Sequence, residues 1–167
     1  MTIDYIVASL PALTFDAPPA ISVEKFAELA PGFAALAGPG GLGGAEATCR
    51  PAVQWRDLDA QLRNAVATCR AGGGKWTRPV AGCSIYWKNR IVACFQEKDV
   101  AKRDEMLDRV WWDAAGELTP PSSPLGEGAL ATYAVRLGIA AKRAKISRET
   151  GNAAFDRLTA ETKMDFA

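Results

Sequence analysis

The stretch "WRDLDAQLRNAVATCRA", residues 55–71, decides the fold class of this chain. Its apolar side chains recur at helical spacing and form one stripe, made of Trp55, Leu58, Leu62, Val66 and Cys69. Pro51 suits a first helical turn, and the glycines at 72–74 end the pattern. The stretch therefore predicts an amphipathic helix that packs its apolar side into a core.

The polar side of this helix carries Arg56, Arg63 and Arg70. Asp59 precedes Arg63 by four residues, the orientation that favours a surface ion pair on a helix. Because Arg63 lies off the apolar stripe, we expect its truncation to leave stability nearly unchanged. We interpret the three arginines as a candidate partner interface.

Other stretches extend the helical reading in both directions. Helix-period patterns cover residues 23–37, which Pro31 kinks or splits, as well as 100–118, 128–146 and an element capped by Ser147. Residues 78–99 are ambiguous between strand and helix, and we favour helix; residues 3–10 read as a strand or a helical turn. The prediction is an all-α packed domain of five or six helices, with a short irregular or strand-like N-terminus.

Length and composition indicate one ordinary globular domain over residues 1–167. The glycine-rich loop 38–44 would join an N-terminal lobe, residues 1–37, to the rest. The net charge of +1 makes a nucleic-acid partner a poor expectation, although residues 49–95 hold eight Lys/Arg against two Asp. No run of 18 apolar residues predicts membrane insertion, and Asp4 and Pro11 argue against a signal peptide.

The sequence predicts no catalytic residue, cofactor, metal or small-molecule ligand. It has no histidine, which excludes Ser-His-Asp and Cys-His mechanisms. Its cysteines form no CxxC pair, so we expect reduced thiols in a cytosolic protein at Cys49, Cys69, Cys83 and Cys94. "GPGGLG", residues 38–43, follows an apparent helix end rather than a strand, and "GGGKWT", residues 72–77, lacks the Gly-Lys-Ser/Thr of a phosphate-binding loop.

A carboxylate-dependent enzyme stays open as the least favoured alternative. Its candidates are Asp104, Glu105 and Asp108, which lie on a predicted helix among several cations. Such a mixture is typical of a solvated helix face.

Tryptophans and a second basic helix supply the remaining candidates for a partner surface. Trp111 and Trp112 are adjacent and point about 100° apart on a helix, so one can pack in the core while the other meets a partner. We assign Trp112 to the candidate interface. Arg136 and Arg143, which share one face of the helix at 128–146, are assigned to it as well.

Several segments resemble one bacterial family of unknown function, encoded among the subunits of V-type (A/V-type) ATP synthases. The segments are "YIVASLPAL" (5–13), "ISVEKFAEL" (21–29), "LRNAVATCRA" (62–71), "EMLDRVWWDAAGEL" (105–118) and "LATYAVRLGIAAKRAKISRETGNAAF" (130–155). The family is distantly similar to the all-α adaptor that joins the rotor shaft of V-type ATPases to their membrane ring. This chain is much shorter than a full adaptor of that kind.

The resemblance implies a non-catalytic accessory or stalk subunit of a proton-transporting complex. Its partners would be V-type ATPase subunits, and it would be cytoplasmic, peripheral to the inner membrane through the complex. The alternative is a free-standing helical adaptor unrelated to the ATPase.

Overall fold

The computed structural model describes residues 1–38, 49–71, 82, 84–146 and six residues between 151 and 160. Within these ranges the chain is helical and has no strand, which confirms the all-α prediction. The α-helices are α1 (Ile3–Ser9), α2 (Val23–Leu29), α3 (Arg50–Ala71), α4 (Ile85–Cys94), α5 (Val100–Ala115) and α6 (Glu127–Lys145). Two 3-10 helices, Pro31–Ala37 and Gly116–Leu118, follow α2 and α5.

The prediction of an irregular or strand-like N-terminus was wrong, because residues 3–9 form helix α1. One helical side of this segment packs against the core through Ile3, Ile6, Val7 and Leu10. Asp4 lies in the first turn, where a negative charge stabilises a helix. The segment is too short for its pattern to decide, and the core contacts decide it.

Local signals set the other helix ends. Ser22, Ser84 and Asp99 each accept a backbone N–H bond at the start of α2, α4 and α5. Pro31 separates α2 from the first 3-10 helix, since proline has no N–H to continue an α-helix. Helix α4 confirms the helical interpretation of 78–99 for residues 85–94, while residues 78–81 and 83 lie outside the described residues.

Helices α3, α4 and α5 contact one another on one side of the domain. Trp87 Nε1 donates to Glu117 Oε1 at 2.6 Å, and Arg90 Nη1 donates to Asp113 Oδ2 at 2.8 Å, so α4 runs antiparallel to α5. On α3, Gln61 Oε1 accepts from the Ser84 backbone N at 2.9 Å, at the start of α4. These bonds hold α4 in a fixed position against its neighbours.

Helix α6 packs closely against the first 3-10 helix. At Gly138 a Cβ atom would stand 2.8 Å from the Ala37 carbonyl oxygen, so the two backbones approach more closely than a larger residue allows. Tyr133 stacks on Phe26, with ring centres 5.6 Å apart, and its hydroxyl donates to the Pro11 carbonyl at 2.9 Å. Burial raises the pKa of Tyr133 to about 12.

One main hydrophobic core receives residues from all six α-helices and both 3-10 helices, and a separate small cluster contains Phe15, Trp112 and Ala140. The buried members of the main core come from both sides of the glycine-rich loop and include Ile6, Phe26, Leu36, Trp55, Leu62, Ile91, Val110, Leu130 and Leu137. Residues 1–37 therefore share the core of the later helices instead of packing as a lobe of their own. Of the loop at 38–44, only Gly38 is described, and the predicted element after Ser147 lies largely outside the described residues.

Candidate functional site

The three arginines of α3 that the sequence assigns to a partner interface occupy different environments. Arg63 Nε lies 2.7 Å from Asp59 Oδ2, as the sequence predicts, but Asp59 is only 1% exposed. The other carboxylate oxygen of Asp59 accepts from Trp111 Nε1 at 2.8 Å. Arg63 thus neutralises a buried carboxylate, and we revise the expectation that its truncation is nearly neutral. Arg56 is half-buried, and Arg70 is exposed in the last turn.

Trp112 lies in the core, at 7% exposure. Its ring packs edge-on against Phe15, with centres 5.6 Å apart, in a small apolar cluster that also contains Ala140. Arg136 Nε donates to the Trp112 carbonyl at 3.0 Å, and its guanidinium lies 5.2 Å from the indole centre. Burial lowers the pKa of Arg136. Both residues, assigned to a partner interface from sequence, are engaged inside the protein because α5 and α6 pack there.

Arg143 also makes its contacts within the chain. Its guanidinium carbon lies 4.0 Å from the centre of the Phe15 ring, and that of Arg109 lies 3.9 Å from the same point. Arg143 is 3.9 Å from both Glu105 and Asp108. The cation–π contacts of Phe15 with Arg109 of α5 and Arg143 of α6 hold the segment around Phe15 against both helices.

The carboxylates proposed for an enzymatic alternative face cations of α6. Lys142 Nζ lies 2.8 Å from Asp108 Oδ1 and 3.9 Å from Asp104 Oδ2, and Arg143 approaches Glu105. Burial raises the pKa of Asp108, and the bond from Lys142 acts in the opposite direction. The arrangement is an ion-pair network between α5 and α6.

The described residues contain no metal cluster and no helix that could cross a bilayer. No group of three or more His, Cys, Asp or Glu side chains converges among them, and none of their helices is long and apolar enough to span a membrane. Cys49, Cys69 and Cys94 are not in disulfides, and burial raises the pKa of Cys94; Cys83 is outside the described residues. Apart from Gly38, the two glycine-rich motifs also fall outside them.

Two open grooves lie on the surface of the described part. One, of about 320 Å³, runs between α4 and α5 beside Phe15 and Met106. The other, of about 410 Å³, is polar and lies where α3 meets the start of α4, beside Asp57 and Glu117. Neither groove contains the arrangement of nucleophile, base and oxyanion donors that acyl transfer needs.

Among the described residues, α4 exposes several large apolar side chains, which sequence analysis did not single out. Its inner side buries Trp87, Ile91 and Cys94. Its outer face, which we define as Ile85, Tyr86 and Val92, is exposed by 71%, 61% and 41% respectively. Helix α4 also exposes Lys88 and Asn89, so its outer side carries both apolar and polar residues. The signal was present in "IYWKNRIVAC", residues 85–94, where more apolar residues occur than one buried stripe needs.

Comparisons with protein-family models, with curated proteins and with solved structures found no match to this chain. No fold family or function is therefore assigned to it by similarity. The resemblance to the family encoded with V-type ATP synthases rests on the segments quoted above and stays a prediction.

Proposed function

We propose that this chain is a non-catalytic accessory or stalk subunit of a bacterial V-type ATP synthase. It acts by protein–protein contacts, on the cytoplasmic side and peripheral to the inner membrane through the complex. The observation that carries the interaction role is the outer face of α4. The sequence resemblance supplies the identity of the complex.

The outer face of α4 has the properties of a contact surface. Exposed apolar area gains free energy when a partner removes it from water, and contiguous apolar patches often mark interaction sites. Tyr86, at 61% exposure, is of a residue type enriched at interfaces. Helix α4 is already fixed by the bonds of Trp87 and Arg90 to α5 and the turn after it, so binding would cost little ordering of the backbone.

The engagement of the charged residues supports a non-enzymatic role. The carboxylates of the enzymatic alternative, Asp104, Glu105 and Asp108, are paired with Lys142 and Arg143. Asp59, the most buried carboxylate of the described residues, is bonded to Arg63 and Trp111. These contacts connect two turns of one helix or two different helices, so each carboxylate stabilises the packing of the chain.

Co-purification tests the identity of the complex. A tagged copy of the chain, expressed at its natural level in the source organism, should recover V-type ATPase subunits in a fixed ratio through two purification steps. Recovery of a stable complex without any ATPase subunit would favour the free-standing adaptor. Recovery of the chain alone would contradict both forms of the interaction role.

A further inference from the structure

The polar groove at the start of α4 is lined by negative charge only. Its walls come from residues 54–61 of α3, from Ser84 and from the second 3-10 helix. Its two charged lining residues are Asp57 and Glu117, and both are carboxylates. No lysine or arginine of the described residues lines it. In the groove between α4 and α5, by contrast, the lining cations are already paired with carboxylates.

Neither carboxylate of the polar groove is neutralised by a cation within the described part of the chain. Glu117 Oε1 accepts from Trp87 Nε1 at 2.6 Å, which is a neutral donor, and no ion pair there includes Glu117. Asp57 is half-buried and takes part in no hydrogen bond or ion pair among those residues. Lys88, the first cation of α4, is exposed and does not line the groove. Two negative charges therefore line the groove without a compensating charge from the described residues.

Hydrogen bonds between its walls fix the shape of the polar groove. Gln61 Oε1 accepts from the Ser84 backbone N at 2.9 Å, which joins α3 to the start of α4. The bond from Trp87 holds one oxygen of Glu117 against α4. The other oxygen, Oε2, accepts no hydrogen bond from the described residues and is available to a ligand. Acceptors that are already held in place lose little conformational freedom when a cation binds.

Exposed apolar side chains flank the polar groove. Ile85, of the outer face of α4, directly follows Ser84, which lines the groove. On α3, the exposed Val53 directly precedes Gln54, another lining residue. A partner that covers the outer face of α4 at Ile85 would therefore also reach the groove. The volume of about 410 Å³ lies within the range of small-molecule pockets, roughly 300–1,000 Å³, so one long side chain fits it.

We infer that the polar groove binds an arginine side chain of the protein that covers the outer face of α4. This inference rests on the proposed function, since the arginine belongs to the partner. A guanidinium group has five N–H donors and no acceptor, which matches a groove whose charged groups are both acceptors. Hydrogen bonds between charged groups are roughly twice as strong as those between neutral groups. Arginine is also enriched at protein interfaces, whereas lysine is depleted there.

Two short peptides test the groove without the ATPase. We would titrate the ¹⁵N-labelled protein with acetyl-Leu-Arg-Leu-amide and with the same peptide carrying citrulline, which has the shape of arginine without its charge. The arginine peptide should shift the NMR signals of Asp57, Ser84 and Glu117, with a dissociation constant at least about tenfold lower than that of the citrulline peptide. The difference should shrink as salt is raised. Equal binding of the two peptides, or binding of neither, would overturn the inference.

Two charge-removing variants locate the effect in the groove. Asp57→Asn should weaken binding of the arginine peptide by at least about fivefold, since one of the two carboxylates is lost. Glu28→Gln removes an exposed carboxylate of α2, outside the groove, and should leave binding unchanged. An equal loss in both variants would indicate attraction to negative charge in general and would overturn the inference.

The stability of Asp57→Asn shows whether the chain itself uses this carboxylate. Because Asp57 bonds to none of the described residues, Asp57→Asn should keep the midpoint of urea denaturation unchanged. A lower midpoint, with no loss of peptide binding, would assign the carboxylate to the packing of the chain and overturn the inference. The paired readouts therefore separate a binding role from a structural one.

Further measurements separate the other occupants. Calcium or magnesium ions that displace the arginine peptide at micromolar concentration would assign the groove to a metal ion and overturn the inference. A dimer of the wild-type chain that Asp57→Asn dissociates would assign the groove to a second copy, with the same consequence. Preference for the arginine peptide, without recovery of ATPase subunits from the host, would leave the groove inference standing and refute the proposed function. Recovery of ATPase subunits without that preference would do the reverse.

Discussion

Truncating Arg63 to alanine should destabilise the protein by about 2 kcal/mol, because it removes the cation from a buried carboxylate. Asp59 is 1% exposed, and its two oxygens are bonded to Arg63 at 2.7 Å and to Trp111 at 2.8 Å. Losing one partner of a fully buried pair costs about 3–5 kcal/mol. The Arg63 side chain is 39% exposed, so water can replace part of its contribution. The expected cost of Arg63→Ala is therefore closer to that of losing a hydrogen bond to a charged group, about 1.5–3 kcal/mol.

Urea denaturation followed by circular dichroism measures this loss. The midpoint should fall at an unchanged slope, and the thermal midpoint should drop by about 4–8 °C for a chain of this size. Arg70→Ala is the matched control, since Arg70 lies on the same helix and is exposed. Its free energy of unfolding should stay within about 0.5 kcal/mol of the wild type.

A double-mutant cycle with Asp59→Asn isolates the pair. Once the carboxylate is neutral, removal of Arg63 should cost less, and the coupling energy should lie at about 1–3 kcal/mol. Equal stability of Arg63→Ala and Arg70→Ala, or a coupling energy near zero, would show that the Asp59–Arg63 ion pair does not stabilise the fold. Arg63 would then contribute little to the stability of Asp59, and the bond from Trp111 would remain as its observed partner.

Three further changes test the packing. Leu62 is fully buried in the apolar stripe of α3, and Leu62→Ala should lower the free energy of unfolding by about 2–5 kcal/mol in the same assay. A smaller loss would contradict close packing around Leu62. Gly138→Ala should cost about 1–3 kcal/mol, because its Cβ would stand 2.8 Å from the Ala37 carbonyl oxygen; Gly32→Ala, with open space around it, is the control and should not show that loss. Burial raises the pKa of Tyr133 to about 12, so its side chain is neutral in the folded protein. The unfolded chain has a tyrosine pKa near 10, and the stabilisation from the neutral side chain is therefore complete below about pH 10. This stabilisation should be lost as the pH rises from about 10 to 12. Absorbance titration should show one tyrosine ionising late in the folded protein, and simultaneous ionisation of all tyrosines in the folded state would contradict this assignment.

Helix periodicity predicted the class of the fold well, because the long helices carry one apolar stripe each. In α3 the predicted stripe includes Trp55, Leu58 and Leu62, and all three are buried. The conformation of the short segments could not be predicted in the same way. Helix α1 spans too few residues for a period to be measured, and its contacts with α6 and the core settle its conformation.

The environment of a charged residue could not be derived from local spacing. The i,i+4 spacing correctly paired Asp59 with Arg63, but the burial of Asp59 depends on Trp111, which is 52 positions away in sequence. The neighbouring tryptophans show the same limit. Their helical geometry predicts different surroundings, whereas only the packing of Phe15 shows that Trp112 is the one in the apolar cluster.

The candidate interaction surface was missed for a related reason. A search for one apolar stripe finds the buried side of a helix, and α4 carries further apolar residues on its exposed side. Assigning Trp87 and Ile91 to the core leaves Ile85 and Val92 without a packing role, and this conclusion needs the structure. The arginines that the sequence favoured as an interface turned out in several cases to bind the chain's own carboxylates and aromatic rings.

The most direct test of the interaction role compares two glutamate substitutions at equivalent helix positions. Ile85 and Val100 are the first residues of α4 and α5 and are exposed by 71% and 67%. Glutamate in a first helical turn is favourable, so both Ile85→Glu and Val100→Glu should fold. Calorimetric titration with purified V-type ATPase subunits should show a dissociation constant at least about tenfold higher for Ile85→Glu, and an unchanged one for Val100→Glu. Equal binding by both variants and the wild type, or binding by none of them, would contradict the account.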